Sequence, residues 1–121
     1  MIGLQFFLIV LAVAVAGGLG SVLRLFVAKW HGKLPWGILA GNVAASLVVG
    51  LMSPGQNWVF AMILITGFAG GLSTFSSFAA QTVDFFRRGR IAQGLLNVLA
   101  NLALSSTAVL LGQALALALL K

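Results

Sequence analysis

The sequence predicts an all-α integral membrane protein: one bundle of four transmembrane helices, with a break in helix three. Three observations predict it. The chain is 61% hydrophobic and 7% charged, whereas a soluble domain carries about 25% charged residues. Apolar segments near the spanning length of about 20 residues recur four times between short polar turns. The third segment is interrupted in its middle by "GGLSTFSSF", Gly70 to Phe78, which sets glycines and hydroxyl groups where hydrocarbon solvates neither.

The first span runs from about Leu4 to Ala28. It has no positive leader, and its apolar run continues past the small residues, so it reads as a retained helix and not as a signal peptide. "KWHGKLP" then turns the chain, with Pro35 placed to start a helix. The second span runs from about Trp36 to Met52, and "SPGQN", Ser53 to Asn57, is the next turn. The third runs from about Trp58 to Phe86, "RRGR" ends it, and the fourth runs from about Ile91 to Leu120. Trp30, Trp36 and Trp58 fall near the expected ends, where indoles favour the membrane interface. Short loops make neighbouring helices antiparallel, and residues 1–121 form one unit without linker or second domain.

Charge gives the expected orientation. Lys29, Lys33, Arg87, Arg88 and Arg90 lie on one side of the membrane, and Lys121 alone lies on the other. The positive-inside rule places the first and third loops in the cytoplasm and both termini outside, in the inner (plasma) membrane. The net charge of +6 is thus a topology signal and not a nucleic-acid footprint. No cysteine is present, which excludes disulfides and thiolate chemistry. Asp84 is the only carboxylate and His31 the only histidine, so neither a paired-carboxylate nor a Ser-His-Asp site can be assembled. The chain is not expected to be an enzyme.

Four polar clusters stand out within the spans. In "GGLGSVLR", Gly17, Gly18, Gly20 and Ser21 let another helix approach closely. Arg24 either snorkels to the interface or binds carbonyls and anions inside the bundle. In "GILAGNVAAS", Gly37 and Gly41 repeat that packing spacing, while Asn42 and Ser46 share a face. Asn42 serves there as interhelical glue or as an NH₂ donor to an anion. In the third span Gly67 and Gly71 form a packing pair, and "GGLST" predicts a local break whose freed carbonyls need protein, water or an ion. Phe75 and Phe78 follow one turn apart. On the fourth span Gln93, Asn97, Asn101 and Ser105 recur every four residues, a polar stripe of about 18 Å at 1.5 Å per residue. It reads as a wet or ion-lined path in preference to glue. Amides, hydroxyls and the positive edges of aromatic rings all donate to a small anion.

Four blocks, "GGLGSVLR", "PWGILAGN", "GFAGGLSTFSSF" and the polar fourth helix, match in order and spacing the Fluc (CrcB) fluoride channels, and the chain resembles that family over nearly its whole length. The resemblance implies a fluoride-selective passive channel subunit that exports cytoplasmic fluoride. It implies a dual-topology architecture, with two subunits dimerising antiparallel and pores along their interface. It assigns the fluoride pore to Asn42, Phe75 and Phe78, with Thr74, Ser77, Ser105, Asn97 and Asn101 as the polar track. It sets Arg24 and Gln81 at entry or structural positions. It implies a structural Na⁺ at the dimer centre, held by main-chain carbonyls of Gly70 and Ser73. Partners are then fluoride, the bilayer and a second subunit, with no nucleic acid.

Several positions depart from the family's pattern. Ile38 and Ser73 replace threonines, Gln81 stands where many members have glutamate, Asn97 where many have tyrosine, and Asn101 where serine or another polar residue occurs. The five-to-one charge bias also sits poorly with one chain inserting both ways, and points to a heterodimer with an oppositely biased homologue as an alternative to a homodimer. The competing functional readings are a small exporter, against which the missing carboxylates count, and an accessory subunit that does not conduct alone.

Overall fold

A computed structural model describes every residue of the chain except 54 and 56. The described residues are helical and turn, without strand. Helix α1 (Ile2–Val27) leads through a loop to α2 (Trp36–Met52). The third rod is composite: α3 (Trp58–Met62), a π-helical stretch (Ile63–Ala69), α4 (Gly70–Leu72), then α5 (Phe75–Arg87) after an extended pair. Helix α6 (Ile91–Leu119) completes the chain.

Three of these rods are long and apolar enough to cross a membrane: Ile2–Val27, Trp58–Arg87 and Ile91–Leu119. The second is shorter, with 17 residues, which is the lower end of the range of about 17–25 that spans hydrocarbon. Leucines and phenylalanines of α1 and α6 are exposed along most of their length. In lipid that exposure costs little, because the tails solvate apolar side chains as well as a protein interior does. The buried centre is accordingly small: Ala45, Ala69 and Leu72, with Val48, Val49 and Phe68 against them.

Close backbone contact replaces a large core. Helix α2 packs chiefly on α6, and α1 on the π stretch and α4. Gly20 shows why α1 is built from small residues. A Cβ there would lie 2.2 Å from the Phe68 carbonyl oxygen. Gly50 does the same for α2, where a Cβ would lie 2.1 Å from the Val109 carbonyl oxygen on α6. The expected packing role of "GGLGSVLR" therefore holds at Gly17, Gly20 and Ser21, whose Oγ donates to the Gly71 carbonyl at 3.4 Å. It does not hold at Gly18, which has open space beside it.

The ends follow local chemistry. Asn57 caps α3, its Oδ1 accepting from the N–H groups of Val59 at 2.9 Å and Phe60 at 3.4 Å. Gly89, at φ 72°, turns the chain from α5 to α6, a conformation that costs a side-chain-bearing residue about 1–2 kcal/mol. The expected "SPGQN" turn falls partly outside the described residues. The π stretch was not expected. Gly67 within it lies against α1, where a Cβ would sit 2.8 Å from the Val13 carbonyl oxygen. Such widened turns are rare and frequently mark functional positions.

Candidate functional site

The break in the third rod is narrower than the sequence implied. Gly70–Leu72 is still a helical turn, and only Ser73 (φ −78°, ψ 155°) and Thr74 (φ −151°, ψ 115°) are extended. The Thr74 N–H does not close on the Gly70 carbonyl four residues back. It donates instead to Asn42 Oδ1 at 2.8 Å, while Asn42 Nδ2 lies 3.4 Å from the Thr74 carbonyl oxygen. One amide side chain thus takes over both backbone groups of the residue at the break, satisfying buried polar groups that a membrane cannot hydrate. Thr74 also caps the new helix, its Oγ1 accepting from the Ser77 N–H at 3.2 Å.

From Asn42 a hydrogen-bonded chain runs to α6 and back to α5. Asn42 Nδ2 donates to Asn101 Oδ1 at 3.0 Å. Asn101 Nδ2 donates to the Asn97 carbonyl at 2.9 Å and to Asn97 Oδ1 at 3.2 Å. Asn97 Nδ2 donates to Thr82 Oγ1 at 3.0 Å, and Thr82 Oγ1 donates to the Phe78 carbonyl at 2.8 Å. Asn97 is 1% exposed and has both polar ends committed.

Beside the break a cleft of about 280 Å³ opens on one face of the chain. Six of the expected path residues line it: Asn42, Thr74, Phe75, Phe78, Asn101 and Ser105. Ser46, Ser73 and Leu102 complete its wall. The rings of Phe75 and Phe78 are 5.8 Å apart and tilted by 55°, a tilted pair and not a parallel stack. Phe75 is 80% exposed.

Four other expected residues lie elsewhere. Asn97 is sealed between α5 and α6, and the α6 stripe is therefore not a continuous lining: Gln93 accepts from Arg90 Nε, Asn97 and Asn101 bond each other, and Ser105 faces the cleft. Ser77 is half-buried and contributes its N–H to the cap. Arg24 is half-buried in the last turn of α1, outside the cleft. Gln81 lies one turn beyond Phe78, in a second hollow of about 190 Å³ shared with His31, Asp84 and Arg90, and its Oε1 is buried without a partner. Asp84 is paired there with Arg88 at 2.9 Å, both exposed, a pairing that contributes little to stability.

Gly70 and Ser73 line a third hollow, which shares Ser46 and Ser73 with the first. The Gly70 carbonyl has lost its helical partner to the break. Neutral carbonyl oxygen at an exposed glycine is the kind of ligand that a Na⁺ site uses. Among the described residues no cluster of His, Asp or Glu competes for a metal.

Sequence reasoning missed Thr82, which follows Gln81 on α5, and Ser46 as a wall of the cleft. The Ser46 signal was present in its four-residue spacing from Asn42. Thr82 carried none.

The comparisons with known proteins bear on the same residues. The family described as CrcB-like protein, Camphor Resistance (CrcB), matches residues 11–113. A protein named fluoride-specific ion channel FluC from Rhizobium etli is 40% identical, covering 90% of this chain and 96% of its own length. Its namesake from Rhizobium leguminosarum bv. trifolii is 38% identical over 86% and 92%. Another from Escherichia fergusonii is 36% identical over 78% and 82%. With a broken third rod, an amide-held break and a match spanning nearly all of its helices, this chain belongs to the CrcB-like family.

Proposed function

We propose that the chain is a subunit of a passive, fluoride-selective channel, and that the cleft at Phe75 and Phe78 is half of its ion path. The carrying observation is the chemistry of that cleft: amide, hydroxyl and ring-edge donors, no carboxylate, and an open side on the protomer surface. Fluoride is small and strongly hydrated. Several donors must replace its water together, while none may hold it so tightly that release fails. Ring edges, the Asn42 amide and the Ser46 and Ser105 hydroxyls supply weak donors in number. The relatives named fluoride-specific ion channels support the choice of fluoride over other anions. Down an inside-negative membrane potential an exported anion gains about 2.3 kcal/mol per 100 mV, so no carboxylate or pump is needed.

The open side of the cleft calls for a second subunit. An antiparallel partner would close the face carrying Phe75, and the exposed Gly70 would then meet its counterpart near a central Na⁺, with Gly70 and Ser73 carbonyls as this chain's ligands. Such an ion would neutralise the carbonyl ends turned toward it. The five-to-one cation bias of the loops favours one inserted orientation, with both termini outside the inner membrane, and hence an oppositely biased homologue as the partner. Because the chain has no cysteine, one engineered at Lys121 reports topology directly. An impermeant maleimide should label Lys121→Cys from the outside only. Equal labelling from both faces would contradict the oriented heterodimer.

The path itself is tested by removing ring edges. Phe78→Ile and Phe75→Ile should each cut fluoride efflux from liposomes about tenfold, the rate equivalent of 1.4 kcal/mol, with assembly unchanged on size-exclusion chromatography. Wild-type flux in both variants would remove the rings from the path.

A further inference from the structure

The amide chain has a direction, and its two ends fix that direction independently. At one end the Phe78 carbonyl can only accept, so the single hydroxyl proton of Thr82 points to it, at 2.8 Å. The hydroxyl then has only lone pairs for Asn97, 3.0 Å away, and the NH₂ of Asn97 must face it. That turns Asn97 Oδ1 toward Asn101, which meets it with NH₂ at 3.2 Å, and leaves Asn101 Oδ1 facing Asn42 at 3.0 Å. At the other end the Thr74 N–H can only donate, and its partner at 2.8 Å must be Asn42 Oδ1. Both backbone ends demand the same order, so every donor points from the break toward Phe78.

The consequence falls on the cleft. One N–H of the Asn42 amide is held by Asn101 Oδ1, and the other has only a 3.4 Å contact with the Thr74 carbonyl. That second N–H is the weakly held one, and the one an anion would draw from the Thr74 carbonyl. Reversing the chain would present Oδ1 to the cleft instead, and its lone pairs repel an anion. Thr82 at 7% and Asn97 at 1% exposure are too buried for water to correct a mismatch, so an NH₂ facing an NH₂ would persist.

We propose that Thr82 and Asn97 are positioning residues that act through Asn101, alongside the Thr74 N–H, to hold the Asn42 NH₂, and not its oxygen, toward the anion path. The assignment rests on the channel reading above for its effect on flux, and on the geometry alone for its effect on the break. It is tested with the full-length protein by two readouts, fluoride efflux from liposomes and hydrogen exchange of the Thr74 N–H by NMR. Thr82→Val removes the hydroxyl at nearly constant volume and should slow efflux about tenfold and speed Thr74 exchange at least about tenfold. Thr82→Ser restores the hydroxyl and should keep both within about twofold of wild type. Should Thr82→Val not fold, Thr82→Ala removes the same hydroxyl without bulk and carries the same expectation. Unchanged Thr74 exchange in the hydroxyl-free variant overturns the proposal, whatever efflux does. Faster exchange with unchanged efflux overturns the link to the path. A wild-type protein that passes no fluoride, either alone or with an oppositely biased homologue, contradicts the channel reading instead, while Thr74 exchange still decides whether Thr82 positions the break.

Discussion

Asn42→Leu should reduce fluoride efflux by one to two orders of magnitude and destabilise the fold at the same time. The substitution keeps the size of the side chain and removes three partnerships. The Thr74 N–H, 2.8 Å from Asn42 Oδ1, loses its acceptor. Asn101 Oδ1 loses its donor, and the cleft loses the amide on its wall. Each buried group left unpaired costs about 1–3 kcal/mol. For the ion, the loss of one donor to a charged acceptor, about 1.5–3 kcal/mol, corresponds to about tenfold to hundredfold in rate. Efflux assays on reconstituted protein and urea denaturation in detergent read the two effects separately. Asn42→Asp is a useful companion. It keeps an acceptor for Thr74 but removes the donor, so it should preserve more of the stability than of the flux.

Gly20→Ala should cost about 1–3 kcal/mol, the range for forcing extra volume into a packed interface, while Gly18→Ala in the same motif should be neutral or gain up to about 1 kcal/mol from helix propensity. The two positions are one turn-half apart on α1 and differ in what surrounds them. A Cβ at Gly20 would meet backbone, the Phe68 carbonyl oxygen at 2.2 Å and the Leu72 nitrogen at 2.9 Å. Backbone cannot rotate aside as a side-chain end can, so α1 would have to move away from the turn that precedes the break. At Gly18 nothing lies within 4 Å. Equal loss at both positions, measured by thermal denaturation in detergent, would contradict the packing described here.

The pattern of apolar runs and turns made most of the bundle legible, because hydrocarbon leaves few choices for a backbone that must satisfy itself. Trp36, Trp58 and Ile91 begin their helices where the turn residues place them. Glycines and hydroxyls located the break, but not its width. Gly70 stays helical because the amide of Asn42, distant in sequence, takes over the backbone only at Thr74. The same limit governed the α6 stripe. A four-residue period puts Asn97, Asn101 and Ser105 on one face, yet says nothing of what that face meets. Thr82 from α5 covers Asn97, whereas the open cleft meets Ser105. Asn97 therefore serves as glue, Ser105 as lining, and Asn101 as both. The π stretch at Ile63–Ala69, which packs Gly67 closely against α1, had no local signal.

The most direct measurement of the central claim is anion efflux from liposomes loaded with potassium fluoride or potassium chloride and holding the purified wild-type protein, with and without an oppositely biased homologue. Rapid fluoride release with chloride retained is expected, either from the protein alone or only when the homologue is present. Absence of fluoride release under both conditions, or release of chloride at the same rate as fluoride, would contradict it.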